Sequence, residues 1–242
     1  MKKLSVEEIA QEESLRAAAP VVETHKERFV KVTFLIATEG TKTEPNYLKA
    51  LKNELEATNR FNIDISIEGK GKATIALVNK VIRQIDNCSQ EYDRVWAVFD
   101  KDEFDDFDDA IKLAESKNIN CAWSNECFEL WLLLHFKEVS TPTGRKELFE
   151  ELELAIRNAL HKNNPEAIFD LSKGNDRIYE LVTILGNEAD AIKRAAALKS
   201  KYKTTTKPSE QNPCTQMDLL IQELRHPETI PLSSGTQKEN LT

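Results

Sequence analysis

Apolar residues in this chain come in two kinds of segment, and the two kinds take turns. The run FVKVTFLIATEG, from Phe29, is nearly continuous, rich in β-branched residues, and stops at a Glu-Gly pair. Such a run predicts a strand buried on both faces. TKTEPNYLKALKNELEA follows, with Tyr47, Leu48, Leu51 and Leu55 on one face, Thr43 as N-cap and Pro45 in the first turn, which predicts a helix. FNIDISIE alternates strictly and reads as a second strand, with GKGK as the turn after it. Thr74 to Asp86 carries Ile75, Val78, Ile82 and Ile85 at helical spacing. RVWAVFD predicts a third strand, Phe107 to Ser116 a third helix, INCAWS a fourth strand, and CFELWLLLHF a buried helix. Strand and helix in strict alternation predict an α/β fold: a parallel sheet with helices on both faces. That arrangement gathers the C-terminal ends of the strands on one rim, where open α/β sheets hold their sites.

The pattern changes after Phe136. KEVSTPTG reads as a loop, Arg145 to His161 and Ile178 to Lys201 as helices, the second with a kink expected at Gly186. Residues 203–213 read as a loop and Pro213 to Arg225 as a last helix. The expected organisation is a polar N-terminal extension over residues 1–27, an α/β core over 28–137, a helical C-terminal region over 138–226, and a disordered polar tail over 227–242. The chain has no internal repeat.

Composition narrows this picture without changing it. The 242 residues are 40% hydrophobic, enough for a sizeable core. Lys plus Arg number 33 against 41 Asp plus Glu, a net charge of -8. An acidic chain has no broad electrostatic grip on DNA or RNA. A nucleic-acid substrate would therefore need metal ions or a partner to supply positive charge. The longest apolar run, FELWLLLHF, is about half of what a membrane helix needs. The N-terminus has no hydrophobic signal core, so a cytoplasmic, non-membrane location is expected. Cys88, Cys121, Cys127 and Cys214 form no CxxC pair, which points to reduced, mostly buried thiols.

Three carboxylates fall at expected strand ends: Glu39 after the first strand, Asp100 closing the third, and Asp102 two positions later. With the first and third strands parallel neighbours, all three share a rim. Crowded acids repel unless a cation lies among them. Mg²⁺ takes oxygen ligands, typically one or two carboxylates plus a substrate phosphate. The plainer alternative is that these acids cap the next helices. DKDEFDDFDD, with seven acids, would then be a solvated face, and Glu103, Asp105, Asp106, Asp108 and Asp109 favour a helix dipole. Lys42 is either a phosphate contact beside a helix start or a solvated loop lysine. Lys70 and Lys72 in GKGKAT lack phosphate-loop spacing. His135 reads as a buried histidine, and Trp96, Trp123 and Trp131 as core. Lys193, Arg194, Lys199, Lys201, Lys203 and Lys207 read as a solvated basic set that would also suit phosphates.

Strand–Glu–Gly followed by a later apolar strand ending in DxD resembles the Toprim domain, the metal-binding fold of topoisomerases, primases and some nucleases. ATEGTKTEPNYLKAL, VWAVFDKDE, SNECFELWLLLHF and NPCTQMDLL, in that order, resemble the RloB-like family of bacterial defence-associated proteins over residues 29–225. The resemblance implies a Toprim-like core with a helical C-terminal region. It implies Glu39 as general acid/base or metal-positioning carboxylate, and Asp100 and Asp102 as ligands of Mg²⁺, with Mn²⁺ as alternative. Phe104 stands where the fuller topoisomerase pattern has a third acid. Glu129 is a further candidate, since Pro often stands in the family where this chain has Glu126; its alternative is a helix cap. The implied activity is a Mg²⁺-dependent nuclease of an anti-phage, abortive-infection type system; Lys42 joins the candidate site by its place near a helix start, not by the resemblance. The implied partners are an ABC- or AAA-like ATPase encoded alongside, nucleic acid as substrate, and a second copy of the chain. The rival expectation is a non-catalytic, interaction or effector-sensing subunit of an ATPase-containing complex.

Overall fold

A computed structural model describes residues 32–57, 62–66, 74–163, 165–166, 169–172 and 174–230, with the backbone alone for 62–66 and 163. The expected extension at 1–27, the strand start at Phe29, the GKGK turn and most of the expected tail lie outside these residues.

The first strand, β1 (Thr33–Thr38), leads into α1 (Thr43–Ala57), then β2 (Asn62–Ser66), α2 (Thr74–Asn87), β3 (Arg94–Asp100), α3 (Phe107–Glu115) and β4 (Asn120–Asn125). The strands lie in the order β2-β1-β3-β4 and run parallel. Each side of the sheet is covered because successive strand residues face opposite ways. Phe34 and Ile36 of β1, with Trp96 and Val98 of β3, enter one core with Tyr47, Leu48 and Leu51 of α1. Leu35 and Ala37, with Val95, Ala97 and Phe99, enter the other with Val78 of α2 and Phe107 of α3. Burial on both faces is why these strands read as continuous apolar runs rather than alternating ones.

The chain then forms α4 (Glu129–Leu134), α5 (Arg145–Asn163), α6 (Ile178–Leu185), α7 (Glu188–Lys199), β5 (Cys214–Thr215) and α8 (Met217–Arg225). Leu148 of α5, Tyr179 of α6, Ala195 of α7 and Leu220 of α8 join the same core as α1 and α4. The helical region thus packs directly on one face of the sheet. Among the described residues no helix is long and apolar enough to cross a membrane.

Two expectations change in detail. The single helix expected over Ile178 to Lys201 is two. Gly186 is extended, with φ -110° and ψ -161°, and the Asn187 side chain caps α7 by accepting from the Asp190 amide at 2.9 Å. A Cβ at Gly186 would lie 2.7 Å from the Val182 carbonyl oxygen and 2.8 Å from His135 Cβ. Gly186→Ala is therefore expected to cost about 1–3 kcal/mol by overpacking, read as a lowered Tm in thermal melts.

The last helix was expected from Pro213 but begins at Met217. Cys214 and Thr215 instead pair antiparallel with Asn125 and Ser124 as an edge strand. The hydroxyls of Ser124 and Thr215 lie 2.8 Å apart, and Thr215 Oγ1 accepts from the Met217 amide at 3.2 Å. A hydroxyl that satisfies two elements at once holds the extended dipeptide against helix. The peptide bonds Asn125–Glu126 and Asn212–Pro213 are cis.

Candidate active site

The ladder between β1 and β3 places the carboxylates. Thr38 pairs with Val98, and the Glu39 amide donates to the Val98 carbonyl at 2.9 Å. Asp100, paired with Ser124, is the last residue of β3, and the Lys101 amide donates to the Ser124 carbonyl at 2.8 Å. Glu39 and Asp100 thus leave adjacent parallel strands on one rim. The condition for a shared rim, strands one and three as parallel neighbours, is met. Glu39, Asp100 and Asp102 line a single cleft of about 290 Å³ with Gly40, Thr41, Glu44 and Arg145. Gly40 leaves room for the Glu44 carboxylate in its present position, since a Cβ there would overlap it.

Both Glu39 carboxyl oxygens are buried and have no hydrogen-bond partner. Burial, then the charges of Asp102, Asp106 and Glu44, push its pKa from 4.5 to about 7, and the Asp100 amide opposes this without completing a hydrogen bond. Asp100, whose side chain is 12% exposed, is raised well above the usual carboxylate range. Burial is the main cause and Glu44 the next, with Arg145 pulling the other way. Glu44 is also raised, by burial first and then by Glu129 and Asp102 against its own backbone amide and Arg145. The fold thus holds several carboxylates where their ionised forms are disfavoured, the electrostatic signature of a functional site.

Among the described residues that line the cleft, one cation answers this charge. Arg145 Nη1 lies 3.4 Å from Asp100 Oδ2, and Nη2 donates to Asp102 Oδ1 and, at 3.4 Å, to the Glu126 carbonyl. Burial disfavours the Arg145 charge, but Asp100 and Asp102 outweigh it and raise its pKa. Among the described residues no group of three or more His, Cys, Asp or Glu is arranged to hold a metal ion. The donor chemistry nonetheless suits a hard divalent cation, because among the described residues four carboxylates line the cleft and the Glu39 pair of oxygens is unpartnered.

The remaining candidates are dispersed. Glu129 opens α4, is 9% exposed, and lines a neighbouring groove rather than the acidic cleft, though its charge raises Asp100 and Glu44. Lys42 is exposed, and its stem packs over Gly174 instead of lining the cleft. His135 is 2% exposed, with Nδ1 3.0 Å from the Trp131 carbonyl, and burial lowers its pKa to about 4, so it is a neutral core histidine. The three tryptophans are core. Burial pushes the thiols of Cys121 and Cys214 up to about 12 and that of Cys127 above the usual range. All four cysteines are free.

Two members of the expected basic set serve the fold. Arg194 donates to the Leu134 carbonyl at 2.6 Å, and Lys199 meets the buried Asp218. The acidic run is likewise partly structural. Asp106 accepts from the Ile75 amide at 3.0 Å at the start of α2, and Asp108 holds the Ser209 amide and hydroxyl.

Spacing alone gives no sign of Glu44 and Arg145. Glu44 sits in the first turn of α1, where any acid suits the helix dipole. Arg145 lies 43 residues beyond Asp102 in the chain. Only its place at the start of a helix, where a cation is disfavoured, hints at another role.

The curated proteins and the solved structures searched give no match to the chain. A family model described as RloB-like protein matches residues 34–224, from β1 through α8 and across every side chain of the acidic cleft. A match of that extent assigns the chain to a family: it belongs to the RloB-like proteins.

Proposed function

We propose that the chain is a metal-dependent nuclease that cleaves DNA or RNA phosphodiesters in an anti-phage defence system. The observation that carries this reading is the Glu39 carboxylate, buried and unpartnered at the same strand rim as Asp100 and Asp102. Glu39, Asp100 and Asp102 would hold Mg²⁺ or Mn²⁺, which when bound supplies positive charge to the phosphoryl oxygens. Glu39 is either one of these ligands or, with Asp100 and Asp102 holding the ion, the carboxylate that takes the proton of an attacking water. Arg145 offers a planar fork of donors matched to a phosphate.

The test is a cleavage assay on DNA and on RNA with Mg²⁺ or Mn²⁺, with and without an ABC- or AAA-like ATPase of the kind the resemblance implies as partner. The expected result is cleavage that EDTA abolishes. A second reading, a non-catalytic subunit of an ATPase-containing complex, draws on one observation: Arg145 already occupies both aspartates. No cleavage in any combination, together with no Mg²⁺ binding by calorimetry, would leave that second reading in place.

A further inference from the structure

We infer that Arg145 is a resident counter-cation that competes with the divalent ion for Asp100 and Asp102, and that ion loading frees its guanidinium for a substrate phosphate. This rests on the metal-dependent reading above and deepens it. Three features of the structure support it.

The first is position. Arg145 is the opening residue of α5, where the helix dipole disfavours a positive charge. Helix stability therefore does not account for a cation there, whereas the two aspartates do. The second is stoichiometry. Among the described residues, Glu39, Glu44, Asp100 and Asp102 line the cleft and Glu129 acts on it, while Arg145 is the single basic residue in its lining. A guanidinium neutralises one charge at most, so the cleft stays cation-seeking with Arg145 in place. A dication on the same aspartate oxygens would repel it and take the lone pairs it uses.

The third is access. The Arg145 side chain is 39% exposed and lines two openings. One is the acidic cleft. The other is a groove of about 530 Å³ along α5, shared with Glu129, Lys146, Phe149, Glu150 and Glu153. Turning the side chain about its own bonds moves the charge from one opening toward the other while α5 stays fixed. Displacement by the ion thus presents the guanidinium at the border of the cleft, where the phosphate of a docked strand would pass.

The experiment is a titration of the full chain with Mn²⁺, followed by the electron paramagnetic resonance signal of the free ion, on wild type, R145Q and R145K. R145Q is expected to bind Mn²⁺ about 10-fold more tightly than wild type, or tighter still. R145K keeps the charge and is expected to stay close to wild type, which a purely structural role for the guanidinium fork would not produce. Should R145Q lose its fold in metal-free melts, R145M keeps the apolar stem and carries the same two outcomes. Saturable binding with R145Q equal to or weaker than wild type overturns the competition and leaves the metal site standing. Saturable binding by neither protein overturns both.

Discussion

Asp100→Asn is expected to lower Mg²⁺-dependent cleavage by about 10²–10³-fold or more while the chain stays folded. The side chain is nearly isosteric, so packing at the end of β3 is kept. What it loses is a formal charge that its surroundings already disfavour. Burial, Glu44, Glu129 and Asp102 all push the Asp100 pKa up, and only Arg145 offsets them. Neutralising such a group removes repulsion as well as one ion pair, and Arg145 keeps Asp102. The melting temperature of Asp100→Asn should therefore stay level or rise. Activity and stability then move in opposite directions, as expected where a fold tolerates strain for function. The check is a cleavage rate beside a thermal melt on the same preparation. Full cleavage by Asp100→Asn removes Asp100 from the chemistry. Lost cleavage with a large fall in Tm would make it a structural residue.

The part of this site legible in the sequence was the part carried by strands. Continuous apolar runs at β1 and β3 fixed two buried parallel strands, and each run ends in an acid because the chain leaves the core there. That Glu39 and Asp100 share a rim therefore follows from local pattern plus the rule that parallel strands end on one side. Glu44 and Arg145 depend on tertiary packing instead. Glu44 reaches the cleft because Gly40 leaves room for it, and Arg145 because α5 packs against α4. Neither relation has a periodicity to read. The same limit explains β5. Two residues after a proline carry no strand pattern, and only their pairing with Ser124 and Asn125 makes them one. Gly186 lay between: the glycine flagged a weak point, while the full break came from the Asn187 cap and the nearby His135. The acidic run illustrates the converse. Its composition suggested solvation, yet Asp106 and Asp108 each hold a distant backbone amide.

Glu39→Gln is expected to make the protein more stable at pH 8 and to leave it unchanged near pH 4.5. Glu39 has an ordinary value of 4.5 and is raised to about 7 in the fold. Between those two values the unfolded chain releases the proton and the folded chain keeps it. The folded state then binds more protons, so stability falls as pH rises through this window and stays low above it. The full displacement corresponds to about 3 kcal/mol. Glu39 is only half-buried as a residue, and solvent screening reduces that to about 1–1.5 kcal/mol. In a chain of this size the gain in Glu39→Gln reads as roughly 2–6 °C in Tm at pH 8. His135, lowered by burial to about 4, acts with the opposite sign between its folded value and 6.5, since there the unfolded chain binds the extra proton. The measured quantity is therefore the difference in Tm between wild type and Glu39→Gln across pH, in which the His135 contribution cancels. Under the metal-dependent reading, Mn²⁺ at pH 8 should recover much of this stability in wild type and little in Glu39→Gln, because an ion that binds the folded state stabilises it by mass action. Equal melting temperatures for the two proteins at pH 8 without metal would mean that the Glu39 carboxylate is already paired or solvated in solution. The buried, unpartnered acid at the end of β1 would then no longer mark the site.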